Sequence, residues 1–407
     1  MRRYQLRRAV TASTGDGVPA QARTAFQAGL TDAVADLTRV GDMYVAWARR
    51  DGNRAELAEA YWLSTAALPA LLPHLDGDEE IALIPLGALN LLPISAAFLQ
   101  ATAGRPAGPL TVRLLPNARV AVNAGWPPGR LTSHVLVADA TRAPAGEPLP
   151  RSSQEAEALV RRYGAHRLSD ATSETALSAM DTASLVHFFC HGRADLADPL
   201  SSGLRLMDGW MTVKTMFARR PLRPQLVILS ACESQVSGHA APDEVIGLPA
   251  ALFQAGAAGV IASQWKVSEQ VALLTMRKFY DQLDTGAAPA RALTAAQNWL
   301  RTATKDELIS SYPDLFTVAR GISGWKVPGS ADAEPPYGNP VCWAALRHTE
   351  MGFGHLPVVR RHHPMTETSM TPRRAYQRLD RRLGAVTPEE LAAVRRILRI
   401  PGSVSPP

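Results

Sequence analysis

The sequence predicts an α/β fold in which helices cover a mostly parallel sheet, and three observations support this prediction. Two mainly apolar segments, LVHFF at 185–189 and LVILS at 226–230, have the composition of strands buried on both faces. A third segment, GVIAS at 259–263, also has the pattern of a buried strand. Helical patterns lie between these segments, and alternation of strands with helices is characteristic of a parallel sheet.

The length and composition fit a globular protein with a large core. The chain has 407 residues, of which 46% are hydrophobic and 20% are charged, as is usual for globular proteins. It is long enough for two or three domains or for one elaborated α/β unit. We expect a helical lead-in at 1–78, a strand-rich part at 79–130, an alternating part at 131–357 and a basic C-terminal extension at 358–407.

Local patterns predict the individual elements. The lead-in repeats apolar residues at helical spacing, whereas 80–125 contains short apolar runs with turn residues, which predicts strands and tight turns. Ser152 and Glu155 have the spacing of a capping box and predict the start of a helix. A short helix within 245–254 and a longer helix that begins near Ser268 complete the alternation.

The positive charge of the chain is concentrated in the C-terminal extension. Residues 358–407 contain ten arginines and four acidic residues, and this excess equals the net charge of +6 of the whole chain. Such a segment could bind an acidic partner, an anionic surface or nucleic acid. It could equally be a solvated arm or a helix packed on its own protein, since TPEELAAVRRIL at 387–398 has the pattern of a capped helix.

Cysteine content and hydropathy indicate a cytoplasmic protein. Three cysteines, Cys190, Cys232 and Cys342, do not suggest a disulfide scaffold. The N-terminal residues lack the apolar core of a signal peptide. The uncharged stretch at 245–265 has the length of a membrane span, but Pro249 and several glycines divide it into a helix and a strand, so no membrane segment is expected.

His191 and Cys232 are the candidate catalytic pair. Each follows an apolar strand, and because the carboxyl ends of parallel strands meet at one edge of a sheet, they could act as base and nucleophile. Gly192 offers an unhindered N–H that could stabilise an oxyanion together with the N–H of Cys232. Each residue alone would more often be a buried core residue, and Cys190 fits that description, since strand alternation points it away from His191.

Six segments resemble the CHAT domain, a bacterial branch of the caspase-like cysteine peptidases that is related to caspases and separases. They are IALIPLGALNLLP, VHFFCHG, SGLRLMDG, LVILSACES, DEVIGLPAALFQAGAAGVIASQW and NPVCWAAL. The resemblance implies a caspase-like sheet and a preceding degenerate caspase-like subdomain. It also implies a peptidase domain at 79–357, in which 79–130 is the strand-rich N-terminal part and 131–357 is the catalytic part. It also implies that Cys232 is the nucleophile, that His191 is the general base and later acid, and that no metal or organic cofactor is needed.

The sequence alone does not decide which residues form the substrate pocket. Related peptidases that cleave after basic residues often carry an acidic residue just before the catalytic cysteine, and here Ser230 and Ala231 stand in those places. Glu233, Asp243 and Glu244 are the nearby acidic alternatives. Each of these could instead be a turn residue or a helix N-cap.

The resemblance predicts a cysteine endopeptidase that hydrolyses a protein partner, in bacterial stress, defence or cell-death signalling. Its expected partners are a protein or peptide substrate, an activating chain and an acidic partner for the basic extension. Two alternatives stay open: a catalytically silent caspase-like scaffold that acts as an interaction module, and a redox-sensing thiol at Cys232.

Overall fold

The computed structural model describes the central part of the chain. The described residues are 78–85, 93–116, 134–143, 149–218, 224–230, 247–316 and 335–350, except 194, 196, 197 and 266, together with 68, 72, 75 and 327. Nearly all of the predicted helical lead-in, and the whole basic extension with its predicted helix, therefore lie outside the described residues. The domain boundaries after 78, 130 and 357 stay predictions.

Eleven strands and ten helices are present in the described ranges. The strands are β1 Glu80–Leu83, β2 Thr111–Leu114, β3 Val135–Asp139, β4 His166–Leu168, β5 Leu185–Phe189, β6 His191–Arg193, β7 Gly203–Leu206, β8 Gly209–Thr212, β9 Leu226–Ser230, β10 Gly259–Ser263 and β11 Leu346–Glu350. The helices are α1 Ile94–Thr102, α2 Pro150–Tyr163, α3 Ser173–Met180, α4 Val213–Phe217, α5 Leu248–Gln254, α6 Glu269–Asp284, α7 Pro289–Thr302, α8 Lys305–Ser311, α9 Pro313–Phe316 and α10 Pro340–Trp343.

Eight of the strands form one sheet and three form another. The large sheet has the order β1-β2-β11-β10-β9-β5-β3-β4, and within it only the β10–β11 pair is antiparallel. The predicted mostly parallel sheet covered by helices is therefore confirmed. The small sheet, β6-β7-β8, is antiparallel throughout and was not predicted.

Strand alternation explains why β5 and β9 are apolar on both faces. Val186 and Phe188 of β5 pack in one cluster with Val227 of β9 and with residues of α3, α4 and α5. Leu185 and Phe189 point to the other face, where the cluster contains residues of α2, α6 and α7. Full burial of each large apolar side chain contributes about 1.5–3 kcal/mol, so β5 is among the best-anchored elements of the fold.

The N-terminal part of the described chain contains a helix that the sequence did not predict. Strands β1 and β2 confirm the strand prediction within 80–125, but α1 lies between them, with Ala97 and Phe98 buried in the apolar core. Both strands belong to the large sheet, because β2 pairs with β11. Arg113 on β2 is buried and forms ion pairs with Glu80 of β1 and Glu350 of β11, which ties the three strands together.

The predicted capping box at Ser152 and Glu155 is wrong. Helix α2 begins earlier, at Pro150, where the missing N–H of proline is tolerated because the first helical N–H groups have no intrahelical partner. The backbone N and the Oγ of Ser152 instead donate to Glu269 Oε1, at 2.7 and 2.9 Å. Glu155 accepts a hydrogen bond of 2.6 Å from Arg277 Nε. Both residues therefore join α2 to α6.

The predicted elements after residue 245 are confirmed where the structure describes them. Helix α5 and strand β10 occupy most of the uncharged stretch, and the hydroxyl of Ser268 caps α6 by accepting from Val271 N. Among the described helices, none has both the length and the apolar character that crossing a membrane requires.

Candidate active site

His191 does not end strand β5 as expected but begins strand β6 of the small sheet. Strand β5 ends at Phe189, Cys190 follows, and the chain then enters the small sheet at His191. The His191 side chain is partly exposed, unlike every residue of β5. The candidate base is therefore held by the small sheet, next to the end of a buried strand.

The register of β5 and β9 relates His191 to Cys232. The two strands run parallel, and their pairs extend from Leu185 with Leu226 to Phe189 with Ser230, a constant offset of 41 positions. The same offset of 41 positions separates His191 from Cys232. Each residue of the candidate pair thus follows the last paired residue of its strand by two positions. Cys232 itself lies outside the described residues, as do Glu233, Asp243 and Glu244.

Cys190 is a buried core residue, as the sequence predicted. Its side chain is 1% exposed and belongs to the cluster that contains Val186 and Phe188. Gly192 follows His191 in β6 and pairs with Leu204 of β7. Gly192 is partly exposed, and its role in an oxyanion hole stays a prediction.

A buried histidine that did not figure among the predicted site residues, His187, lies in the middle of β5, four residues before His191. The Nε2 atom of His187 is 2.6 Å from the hydroxyl of Ser230, and its Nδ1 atom is 2.8 Å from the hydroxyl of Tyr280 on α6. The imidazole also stacks on the ring of Phe189, with 3.9 Å between ring centroids. Ser230, a candidate pocket residue, thus forms a hydrogen bond with a buried side chain of the neighbouring strand. Its role in a substrate pocket stays a prediction.

Burial keeps this histidine neutral. Desolvation lowers the pKa of His187 to about 3, and desolvation raises the pKa of Tyr280 well above its usual value. A neutral imidazole has one donor and one acceptor nitrogen, and a hydroxyl can serve as either partner, so both nitrogens are satisfied. The signal in the sequence was a polar residue in the middle of a buried strand, which requires hydrogen-bond partners.

The small sheet has one buried and one accessible face. Leu204, Leu206 and Met211 are fully buried and pack in the same cluster as Cys190, which anchors the sheet to the core.

The accessible face of the small sheet carries His191 in a row with two other side chains. His191 pairs with Arg205 of β7, and Arg205 pairs with Trp210 of β8. Since directly paired residues of antiparallel strands share a face, these three form one row across the sheet.

The described ranges contain no candidate metal site. Within them, His, Cys, Asp and Glu side chains form no group of three or more that could hold a metal ion. The expectation that no metal or organic cofactor is needed stays a prediction.

Comparison with solved structures gave distant similarities. The chain is similar to a separase–securin complex of Saccharomyces cerevisiae, with 10% identity over 67% of this chain and 15% of that chain, at a TM-score of 0.42. It is also similar to the Arg-specific cysteine proteinase gingipain R, with 9% identity over 65% of this chain and 64% of that chain, at a TM-score of 0.40. Because both TM-scores are below 0.5, these similarities carry no argument about function. A comparison with curated proteins gave no match.

The comparison with protein families gave a match that covers most of the chain. A family model described as CHAT domain matches residues 57–352. The matched range contains both sheets, His191 and Cys232. It also contains β1 and β2, in agreement with their pairing into the large sheet. The chain therefore belongs to the CHAT domain family.

Proposed function

We propose that the protein is a cysteine endopeptidase that hydrolyses peptide bonds of a protein partner. In this proposal Cys232 is the nucleophile and His191 is the general base and then the general acid. The observation that supports it most is the shared offset: strands β5 and β9 are paired 41 positions apart, and so are His191 and Cys232 in the chain. Membership of the CHAT domain family supports the same assignment.

The proposed reaction needs only groups that the chain supplies. The imidazole of His191 takes the thiol proton, and the thiolate of Cys232 attacks the peptide carbonyl carbon. The N–H groups of Gly192 and Cys232 donate hydrogen bonds to the oxyanion that forms. His191 then protonates the leaving amine, which leaves an acyl-enzyme. Water, activated by the same imidazole, hydrolyses the thioester and restores the thiol.

Each residue of the proposed pair follows a well-packed element of the fold. The small sheet that carries His191 is anchored by Leu204, Leu206 and Met211, which are fully buried in the core. Strand β9 is hydrogen-bonded between β5 and β10 in the large sheet. Two well-packed elements therefore lead to the two reacting groups, which suits catalysis that depends on positioning.

Several finer assignments belong to this proposal. Ser230, Glu233, Asp243 and Glu244 remain the candidate residues of the pocket for the scissile residue. We place the enzyme in the bacterial cytoplasm, in stress, defence or cell-death signalling. An activating partner chain would control it, and the basic extension at 358–407 would bind an acidic partner.

The proposal is tested by alkylation of Cys232 with iodoacetamide at pH 7, followed by peptide mass spectrometry to separate it from Cys190 and Cys342. We expect Cys232 to react faster than free cysteine, and His191→Ala to slow it at least tenfold, because the neutral thiol then predominates. His166→Ala, a change at an exposed histidine on β4, serves as the control. If Cys232 reacts like free cysteine in all three proteins, the silent scaffold becomes the better account.

A further inference from the structure

The accessible face of the small sheet carries two arginines and a tryptophan next to His191. Arg205 and Trp210 lie in the same row as His191, and Arg193 lies two residues further along β6, on the same side of the strand. Strands lie about 4.8 Å apart and extend about 3.3 Å per residue. Arg193 and Trp210 therefore begin within about 10 Å of His191.

The guanidinium group of Arg193 is held in a fixed place. Its Cζ atom lies 4.3 Å from the ring centroid of Trp210, and that of Arg205 lies 5.7 Å from the same centroid. The Nε and Nη2 atoms of Arg193 donate hydrogen bonds to the Ser201 carbonyl, at 3.3 and 3.2 Å. A cation over an indole face, further fixed by hydrogen bonds, has little side-chain entropy left to lose on binding a ligand.

Gly203 explains how Arg193 reaches Trp210 across the intervening strand. Gly203 is paired with Arg193 on one side and with Thr212 on the other. A Cβ atom at Gly203 would lie 2.8 Å from the Met211 carbonyl oxygen, so strands β7 and β8 approach too closely for any side chain there. Without a side chain at Gly203, Arg193 can extend over β7 towards β8.

Arg193 has no acidic partner in the described part of the chain. Its side chain is exposed, and no described carboxylate lies within salt-bridge distance of it. The acidic residues of the following turn are used within that turn: Asp195 Oδ1 accepts from Asp198 N at 2.8 Å, and Asp198 Oδ2 accepts from Ser201 Oγ. The positive charge of Arg193 is thus available to a ligand that lies on this face.

We propose that Arg193, held against Trp210, recognises an acidic side chain of the substrate two or three residues from the scissile bond. A fixed guanidinium group matches a carboxylate in charge and geometry, and it disfavours a basic side chain. The distance from His191 corresponds to two or three residues of an extended peptide. This inference rests on the proposed function, and it concerns a different subsite from the pocket for the scissile residue.

The first test compares peptide substrates that differ only by Glu or Gln at single positions on either side of the scissile bond. We expect kcat/KM to favour Glu about tenfold at one position two or three residues away, and salt to reduce this preference. Arg193→Ala should bring the ratio near one, Arg193→Glu should reverse it in favour of Gln, and Arg193→Lys should retain part of the preference for Glu. Arg161→Ala, at an exposed arginine on α2, should leave the ratio unchanged.

The second test does not depend on turnover. Cys232→Ala protein is titrated with two fluorescein-labelled pools of decapeptides that have uncharged random residues around a central Glu or a central Gln. We expect the Glu pool to bind about tenfold more tightly, and Arg193→Ala or Trp210→Leu in the same background to remove most of the difference. Equal binding of both pools overturns the inference. If the native protein cleaves no peptide but the Glu pool still binds more tightly, only the proposed peptidase activity is overturned.

Discussion

His187 and His191 lie four residues apart in the chain, in entirely different surroundings. His187 is in the middle of β5, fully buried, with Ser230 and Tyr280 hydroxyls at its two ring nitrogens, and desolvation lowers its pKa to about 3. His191 is partly exposed on the small sheet, beside Arg205. The difference shows that the end of β5 marks the change from a buried imidazole that serves the fold to an imidazole that is partly exposed.

The topology explains why this change is so abrupt. Strand β5 is paired on both edges, with β3 and β9, and both of its faces are covered by apolar clusters. Two residues after Phe189 the chain belongs to a sheet with only one buried face. An imidazole in the first setting must stay neutral and bonded, whereas one in the second setting can meet a substrate.

The largest expected difference between the two histidines is in activity. His191→Ala should lower kcat/KM for a cleaved peptide by about 100-fold or more, because a general acid–base group contributes about 10²–10⁴-fold. The unfolding free energy should change by less than about 1 kcal/mol, since the side chain is partly exposed. Steady-state kinetics and urea unfolding measure the two quantities. If His191→Ala lowered the unfolding free energy by about as much as His187→Ala, the proposed contrast between a catalytic and a structural histidine would be wrong.

The second expected difference is in stability. His187→Ala should lower the unfolding free energy by about 3 kcal/mol, because it leaves a cavity and removes the partner of two hydroxyls. Urea unfolding followed by circular dichroism measures this effect. His166→Ala, at an exposed position, is the matched control and should change stability by less than about 0.5 kcal/mol. Equal effects at both positions would contradict the structural role of His187.

The third prediction concerns pH. Burial lowers the pKa of His187 from 6.5 to about 3, so below pH 6.5 the unfolded chain binds a proton that the folded chain does not bind. Stability from this source is complete above pH 6.5 and falls as the pH decreases towards 3, by about 1.4 kcal/mol per pH unit. His187→Gln should flatten the curve of unfolding free energy between pH 6 and 4 by about this slope.

Other buried groups contribute to the same curve, so the comparison is made between variants. Desolvation, with a smaller contribution from Arg113, also lowers the pKa of His348 to about 3, which adds a slope of the same sign. Burial raises the pKa of Glu155 and Glu350, which stabilises the folded chain as the pH falls. An unchanged slope in His187→Gln would show that His187 is not buried as a neutral group.

The smallest effect is expected at Tyr280. Tyr280→Phe removes the hydroxyl that is 2.8 Å from His187 Nδ1 and keeps the ring in the core, so it should cost about 1 kcal/mol of stability. Alkylation of Cys232 should be nearly unchanged, because Ser230 still fixes His187 from the other side. Thermal unfolding and iodoacetamide labelling are the measurements. A large loss of Cys232 reactivity would instead make Tyr280 part of the catalytic arrangement.

The elements that could be predicted are those whose pattern is set by burial alone. Strands β5, β9 and β10 are apolar because both faces are covered, and that pattern is visible without knowledge of their neighbours. The same strands led to His191 and Cys232 as a pair. What the pattern could not give was the turn of the chain at Cys190, which moves His191 into a second sheet.

Elements that depend on distant contacts were missed or assigned wrongly. Ser152 and Glu155 have capping-box spacing, but their partners are Glu269 and Arg277, more than a hundred residues away. The hairpin of β7 and β8 did carry a local signal, since two leucines flank Arg205 in GLRL and a two-residue turn separates this strand from GWMT. Its significance is apparent only from its pairing with the strand that holds His191.

The most direct test of the dyad is cross-linking of the native protein with 1,3-dibromoacetone, which bridges a thiol and an imidazole only when they lie close together. We expect a bridge between Cys232 and His191, identified by mass spectrometry of the joined peptides, and its loss in His191→Ala but not in His187→Ala. A bridge from Cys232 to another residue, or alkylation of Cys232 without any bridge, would contradict the pairing of His191 with Cys232.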